Sequence, residues 1–263
     1  MTTDPEIASL LECALCAAQA AGNHALANHN RRTETISRAA HDVKLALDLE
    51  CQEIAQETVL ERYPGSAITG EEGMAPADPE TAGTAEWIID PIDGTVNFSH
   101  GLPFWCCSVA VRRAGKLLAG AVYAPALAEC YTAARGAHAT CNGTPLAVSA
   151  TPDLAGSLVC TGLDKNIDPR LPPFEIFRTL SASTQKTRVL GAAALDICRV
   201  ASGQADGYFE TGIYTWDVAA AGLIVEQAGG RIETLREYDA GRLMFLATNG
   251  LIHDALRELV LSV

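Results

Sequence analysis

The sequence predicts a mixed α/β protein with an antiparallel first half and an alternating second half. Three observations carry this. Residues 5–30 and 42–62 repeat apolar side chains at helical spacing. Between residues 66 and 133, short apolar runs are broken by turn residues, the pattern of a strand meander. From about residue 150, short apolar runs alternate with helical stretches, which sets helices against a sheet. The 263 residues suffice for a large core. An N-terminal α+β half, 1–150, and a C-terminal α/β half, 151–263, are expected to pack as one compact unit.

The first helix starts at Asp4-Pro5, with proline in the first turn, and aligns Ile7, Leu10, Leu11, Ala14, Leu15, Ala18 and Ala21. Residues 31–41 lose the pattern and mix both charges, which predicts an exposed connection. A second helix is predicted over 42–62, with Val43, Leu45, Leu47, Leu49, Ile54 and Leu60 apolar and Tyr63-Pro64-Gly65 as its stop. Ser66-Ala67-Ile68-Thr69-Gly70 reads as a strand running into Glu71-Glu72-Gly73, followed by a Pro- and Ala-rich loop at 74–85. The next strand, Trp87-Ile88-Ile89, ends in Asp90-Pro91-Ile92-Asp93-Gly94-Thr95. Residues 105–111 and 117–123 form a hairpin about a turn at 112–115, residues 129–133 extend it, and Cys141-Asn142-Gly143-Thr144 is a turn. The second half predicts strands at 158–160, 188–190, 207–210 and 243–248. Its helices fall at 174–182, 192–202, 216–228 and 253–261, with Gly203 ending the second and Gly229-Gly230 the third.

A hydrophobic content of 48% and a charged content of 19% are those of a globular enzyme. A net charge of −13, with no patch of Lys and Arg, argues against a nucleic-acid polymer as partner. Acids near the N-terminus and no apolar run of roughly 18–20 residues argue against a secretory signal or a membrane span. Nine cysteines are present. Cys13-x-x-Cys16 lies in the first apolar stripe without a second pair at zinc-site spacing, so it reads as buried small side chains. A reducing cytoplasm is the expected compartment.

A buried strand that ends in acids is a poor way to build a core and a good way to hold a hard cation. Asp90 and Asp93 sit on one tight turn, and Thr95 places a hydroxyl beside it. Gly94 and Thr95 open a short helical stretch whose free N–H groups suit a phosphate. Asp217, at the start of the helix over 216–228, reads from its own segment either as a cap opposing the helix dipole or as a ligand. Glu71-Glu72 alone reads as a solvated pair. Gathered together, Glu71, Asp90, Asp93 and Asp217 are tolerable only when cations and an anionic substrate neutralise them. Two cations about 3.5–4 Å apart suit in-line phosphoryl displacement. The chemistry points to a phosphatase.

Residues 87–98 match W-x-[I/V/L]-D-P-[I/L]-D-G-T-x-N-F, and residues 216–230 match W-D-x-A-A-[G/A]-x-x-[I/L]-x-x-x-A-G-G. These two signatures are similar to those of the inositol monophosphatase family. Gly70-Glu71-Glu72, residues 191–196 and residues 206–210 fall in order between and before them, so the resemblance spans nearly the whole chain. It implies an αβαβα layered sandwich of the sugar-phosphatase type, a homodimer, two or three Mg²⁺ ions and inhibition by Li⁺. It further implies that Glu71, Asp90 and the Ile92 carbonyl hold one metal, and that Asp90, Asp93 and Asp217 hold a second. Glu71 would assist a third through water. Thr95 with Asp48 would orient and deprotonate the attacking water. Gly94 and Thr95 N–H groups would hold phosphate, and Ala193, Glu210 and Asp217 would meet substrate hydroxyls.

Two departures stand out. Residues 35–48 lack the Lys-x-x-x-Asp-x-Val-Thr-x-x-Asp pattern of many inositol-specific members, which bears on the third metal and on Li⁺. Ala192 stands where Ser or Thr is common. Thr95-Val96-Asn97-Phe98 resembles inositol monophosphatases and the dual inositol/fructose-bisphosphate members, and differs from the G-T-K-E-F of nucleotide 3′(2′),5′-bisphosphate enzymes and the G-T-x-S-F of histidinol-phosphate enzymes. An inositol-1-monophosphatase ranks first, with fructose-1,6-bisphosphatase, histidinol-phosphatase and 3′(2′),5′-bisphosphate nucleotidase as alternatives. A non-catalytic metal- or phosphate-binding scaffold is the alternative from another class; it has no physical need of the acid cluster.

Overall fold

Asp4 opens the first helix by accepting the Glu6 N–H at 2.9 Å, and with Pro5 in the first turn α1 runs Pro5–Ala27. The structure, a computed structural model, describes residues 4–39, 42–73, 85–163, 172–238 and 241–263. The loop expected at 74–85 lies outside them except for Ala85, as does His41. Among the described residues, no helix is long and apolar enough to cross a membrane.

The segment expected to be an exposed connection is exposed over residues 33–38, but it forms one arm of a hairpin. β1 (Thr35–Ala39) pairs antiparallel with β2 (Asp42–Leu45), and α2 starts only at Ala46 and ends at Arg62. Val43 and Leu45 are buried while Lys44 between them is not, a period of two that the apolar stripe of the following helix conceals. The Asp48 carboxylate sets the helix start by accepting the Leu45 N–H at 2.7 Å.

The first sheet holds β3 (Ala67–Gly70), β4 (Glu86–Asp93), β5 (Cys106–Arg113), β6 (Lys116–Ala124), β7 (Glu129–Ala134), β8 (Thr140–Cys141) and β9 (Thr144–Pro145), side by side in that order. β3 is parallel to β4, and every other pair is antiparallel. The second sheet has β10 (Leu158–Thr161), β11 (Lys186–Arg188), β12 (Gly207–Tyr214), β13 (Arg231–Glu237) and β14 (Arg242–Thr248), ordered β11-β10-β12-β14-β13. The helices are α3 (Thr95–His100), α4 (Pro172–Ser183), α5 (Ala193–Ala201), α6 (Thr215–Gln227) and α7 (His253–Leu261). β13 escapes a sequence reading because it is an edge strand whose arginines and glutamates leave little apolar signal.

Strand alternation distributes the core. Trp87 and Ile89 of β4, with Val109 and Val111 of β5, join the cluster packed by α1 and α2. Ile88 and Ala110 point the other way, into a cluster that contains α5, α6 and the inner face of the second sheet. Val159, Phe209 and Leu246 leave that sheet's far face to meet α4 and α7. The order is therefore helix pair, sheet, helix pair, sheet, helix pair, an αβαβα sandwich.

The middle layer depends on close approach. A Cβ added at Gly120 of β6 would lie 2.9 Å from the Cα of Ala220 on α6, so the small residues at 219–222 have a backbone neighbour on the sheet. Gly120→Ala is expected to lower stability by about 1–3 kcal/mol through overpacking. An unchanged melting temperature would contradict this packing.

Candidate active site

β4 carries both central acids past the end of its regular ladder. Asp90 pairs with Ser108 and Asp93 with Cys106, so three steps on β4 oppose two on β5. Residues an odd number apart on a regular strand face opposite sides; the extra residue of the bulge cancels that parity and aims both carboxylates into one space. Gly94 then turns the chain at φ +88°, where a Cβ would lie 3.0 Å from the Ala192 Cβ and 3.1 Å from the Gly191 and Phe104 carbonyl oxygens. Only glycine fits both constraints.

Helix starts hold the acids. Asp93 accepts the N–H groups of Ala193 (3.0 Å) and Ala194 (2.8 Å), capping α5 from one hundred residues away, and the Cys106 thiol donates to it at 3.5 Å. Asp217, in the first turn of α6, reaches back to the Tyr214 N–H at 2.8 Å. It is both the cap and the converging acid. Asp90 is different: both its oxygens are buried and neither accepts a hydrogen bond from a backbone or cationic donor. One oxygen from each of Asp90, Asp93 and Asp217 lies within 4.8 Å of the others.

Of the Glu71-Glu72 pair, only Glu71 lines the cleft. Glu72 forms an ion pair with Lys44 and donates its N–H to Gln52 at 3.4 Å. The cleft measures about 610 Å³ and also presents Ile92, Gly94, Thr95, Ala193, Glu210 and Asp217. Thr95 donates its hydroxyl to the Ile92 carbonyl at 2.9 Å. The Ala193 N–H is engaged by Asp93. Asp48 is buried and caps α2, and it stands outside the lining. Asp196 is a cleft residue that motif reasoning passed over. It is 1% exposed, and a lone acid one turn after Ala193 in an apolar helix is the signal that would have found it.

Electrostatics match this crowding. Burial, then Glu71, Asp93 and Asp217, push the Asp90 carboxyl well above its usual range. Burial and Asp217 push Asp93 up to about 7, against the pull of the Ala194, Cys106 and Ala193 donors. Asp196 is pushed up to about 8 by burial, with Asp93 and Glu210 adding to it. Among the described lining residues only Arg38 and His100 offer a cationic side chain. Two buried Asp90 oxygens without a backbone or cationic donor, converging with one oxygen each of Asp93 and Asp217, are the donor set of a hard divalent cation.

This floor, laid in an αβαβα sandwich, is that of a metal-dependent phosphomonoesterase. A profile of the inositol monophosphatase family matches residues 6–262, and the chain belongs to that family. It is 38% identical to Nus factor SuhB of Pasteurella multocida, over 85% of this chain and 84% of that protein. It is also 38% identical to Inositol monophosphatase 1 of Bos taurus, over 76% and 74% respectively. The inositol monophosphatase structure from Anabaena (Nostoc) sp. PCC 7120 superposes with a TM-score of 0.85 at 33% identity, covering 98% of this chain and 97% of that one. Members of the family are phosphomonoester hydrolases that act on small phosphate esters with metal, and this chain is a hydrolase of that kind.

The raised carboxyls set the sign of a pH dependence. The folded, metal-free protein binds more protons than the unfolded chain from the ordinary carboxylate value of 3.8 up to about 7 for Asp93. Its stability therefore falls as pH rises through that window. A divalent cation held by these acids would take them deprotonated and offset the loss. The melting temperature in EDTA should fall from pH 5 to pH 8, and the gain on adding Mg²⁺ should be larger at pH 8. A gain that shrinks with rising pH would contradict the assignment.

Asp90→Asn relieves a crowded carboxyl and removes no helix cap. It should hold or raise the metal-free melting temperature while abolishing the Mg²⁺ shift and turnover. Asp93→Asn should lose activity equally but destabilise the metal-free protein by about 1 kcal/mol, because one α5 N–H loses its acceptor. Differential scanning fluorimetry of both variants, with and without Mg²⁺, separates the two roles.

Proposed function

We propose that the chain is a Mg²⁺-dependent phosphatase acting on inositol-1-phosphate, with Glu71, Asp90, the Ile92 carbonyl, Asp93 and Asp217 as the residues that hold the ions. The convergence of Asp90, Asp93 and Asp217 within 4.8 Å carries the reading. When bound, Mg²⁺ would offset the negative charge on the phosphoryl oxygens and lower the pKa of a bound water. The protein does the rest by positioning. Thr95 directs its hydroxyl proton at Ile92, which supports a role as acceptor for the attacking water. Asp48 is assigned as its partner, acting from the start of α2. The N–H groups of Gly94 and Thr95 receive the phosphate, and no phosphoenzyme forms. Asp93 keeps its orientation through the α5 cap while the phosphoryl group moves.

Half-buried Glu210 on the cleft wall favours an alcohol rich in hydroxyls. The family reading carries with it a homodimer and a cytoplasmic setting. Phosphate release with Mg²⁺ from inositol-1-phosphate, fructose-1,6-bisphosphate, histidinol phosphate and adenosine 3′,5′-bisphosphate tests the assignment. Inositol-1-phosphate is expected to give the highest kcat/KM. A higher value for another ester reassigns the alcohol, and no release from any of them by folded protein favours the scaffold.

A further inference from the structure

Glu210 reaches the cleft from β12, where residues two apart share a face. Two steps before it, Tyr208 is fully buried, and its hydroxyl hydrogen-bonds the Glu210 carboxylate at Oε2. On the neighbouring strand, Thr161 of β10 pairs with Phe209 and clamps it, donating its hydroxyl to the Phe209 carbonyl at 2.6 Å. Gly162 follows, and a Cβ added there would lie 2.1 Å from Glu210 Oε2 and 2.3 Å from Oε1. The carboxylate thus lies against the bare backbone of Gly162 while Tyr208 grips it from the core. Such a clamp removes rotamer freedom that a glutamate on a strand edge would otherwise keep.

We propose that Tyr208 is a positioning residue for substrate selection, fixing Glu210 across Gly162 so that the cleft favours leaving alcohols carrying a hydroxyl near the ester. Tyr208 touches no reacting atom. It acts through Glu210, so its influence falls on esters whose alcohol meets that carboxylate. This rests on the phosphatase reading above. Burial also keeps the Tyr208 phenol protonated, with its pKa pushed well above the usual value, so it remains a donor at any working pH.

The test compares inositol-1-phosphate with p-nitrophenyl phosphate, whose leaving group has no hydroxyl to offer, in Mg²⁺. Tyr208→Phe is expected to lower the ratio of the two kcat/KM values about tenfold, mostly through KM for inositol-1-phosphate. In a Glu210→Ala background the same substitution should leave the ratio unchanged. Gly162→Ala, which displaces the carboxylate from the opposite side, should lower the ratio as well and serves if Tyr208→Phe fails to fold. A ratio in Tyr208→Phe or Gly162→Ala equal to wild type, or an effect of Tyr208→Phe that persists without Glu210, overturns the proposal. So does a wild-type enzyme without preference between the esters. Failure of wild type to hydrolyse either ester strikes the phosphatase reading itself and this proposal with it.

Discussion

Everything in the cleft depends on one carboxylate being held from the far side of the molecule. Asp93 belongs to the first sheet, yet its two oxygens accept the first N–H groups of α5, which begins one hundred residues later. A helix start offers unsatisfied donors and the positive end of a dipole, so it welcomes an anion. The same device recurs at Asp217 on α6 and at Asp48 on α2. Asp90 has no such support, and burial with Glu71, Asp93 and Asp217 around it pushes its carboxyl well above the usual range. The acids are therefore not a loose negative patch but a set in which helix starts fix two converging members and leave the third uncapped.

That arrangement demands that α5 and α6 lie tight between the sheets. Gly120 against Ala220 brings α6 onto β6, and Gly94 against Ala192 brings the β4 turn onto the start of α5. Two missing Cβ atoms thus set the depth of the floor. Displacement at either contact would move Asp93 or Asp217 relative to Asp90, and electrostatic positioning degrades over distances of about 1 Å.

Much of this was legible in the sequence because it rests on local signals. A strand ending in Asp-Pro-x-Asp-Gly, a Trp-Asp helix start and the alternation of apolar runs name the converging acids and the fold class. What stayed hidden was non-local. No pattern announces that Asp93 caps α5, or that a bulge against β5 corrects the facing of Asp90 and Asp93. The β1–β2 hairpin was masked because Val43 and Leu45 also extend the helical stripe of α2. β13 was missed because an edge strand has no need of apolar side chains. Asp48 shows the opposite difficulty: its motif position suggests water activation, while the bond it makes here is a helix cap.

Floor and wall come from different parts of the chain, and this separates reaction from substrate. The floor is β4, the turn after β3 and the start of α6, whose acids must converge whatever the alcohol. The wall is α5, β12 and the end of β10, where Ala193, Asp196, Glu210 and Gly162 line the cleft. Substituting a wall residue leaves the acids' helix caps intact, so one reaction supports several alcohols across a shared fold. The burial of Asp196 and the clamp on Glu210 put polar groups on that wall at a desolvation cost that a purely apolar wall would avoid. Such a cost is reasonable where the alcohol brings hydroxyls that pair with them, because a buried polar site rejects an alcohol lacking those hydroxyls far more strongly than an apolar one rejects an extra methylene.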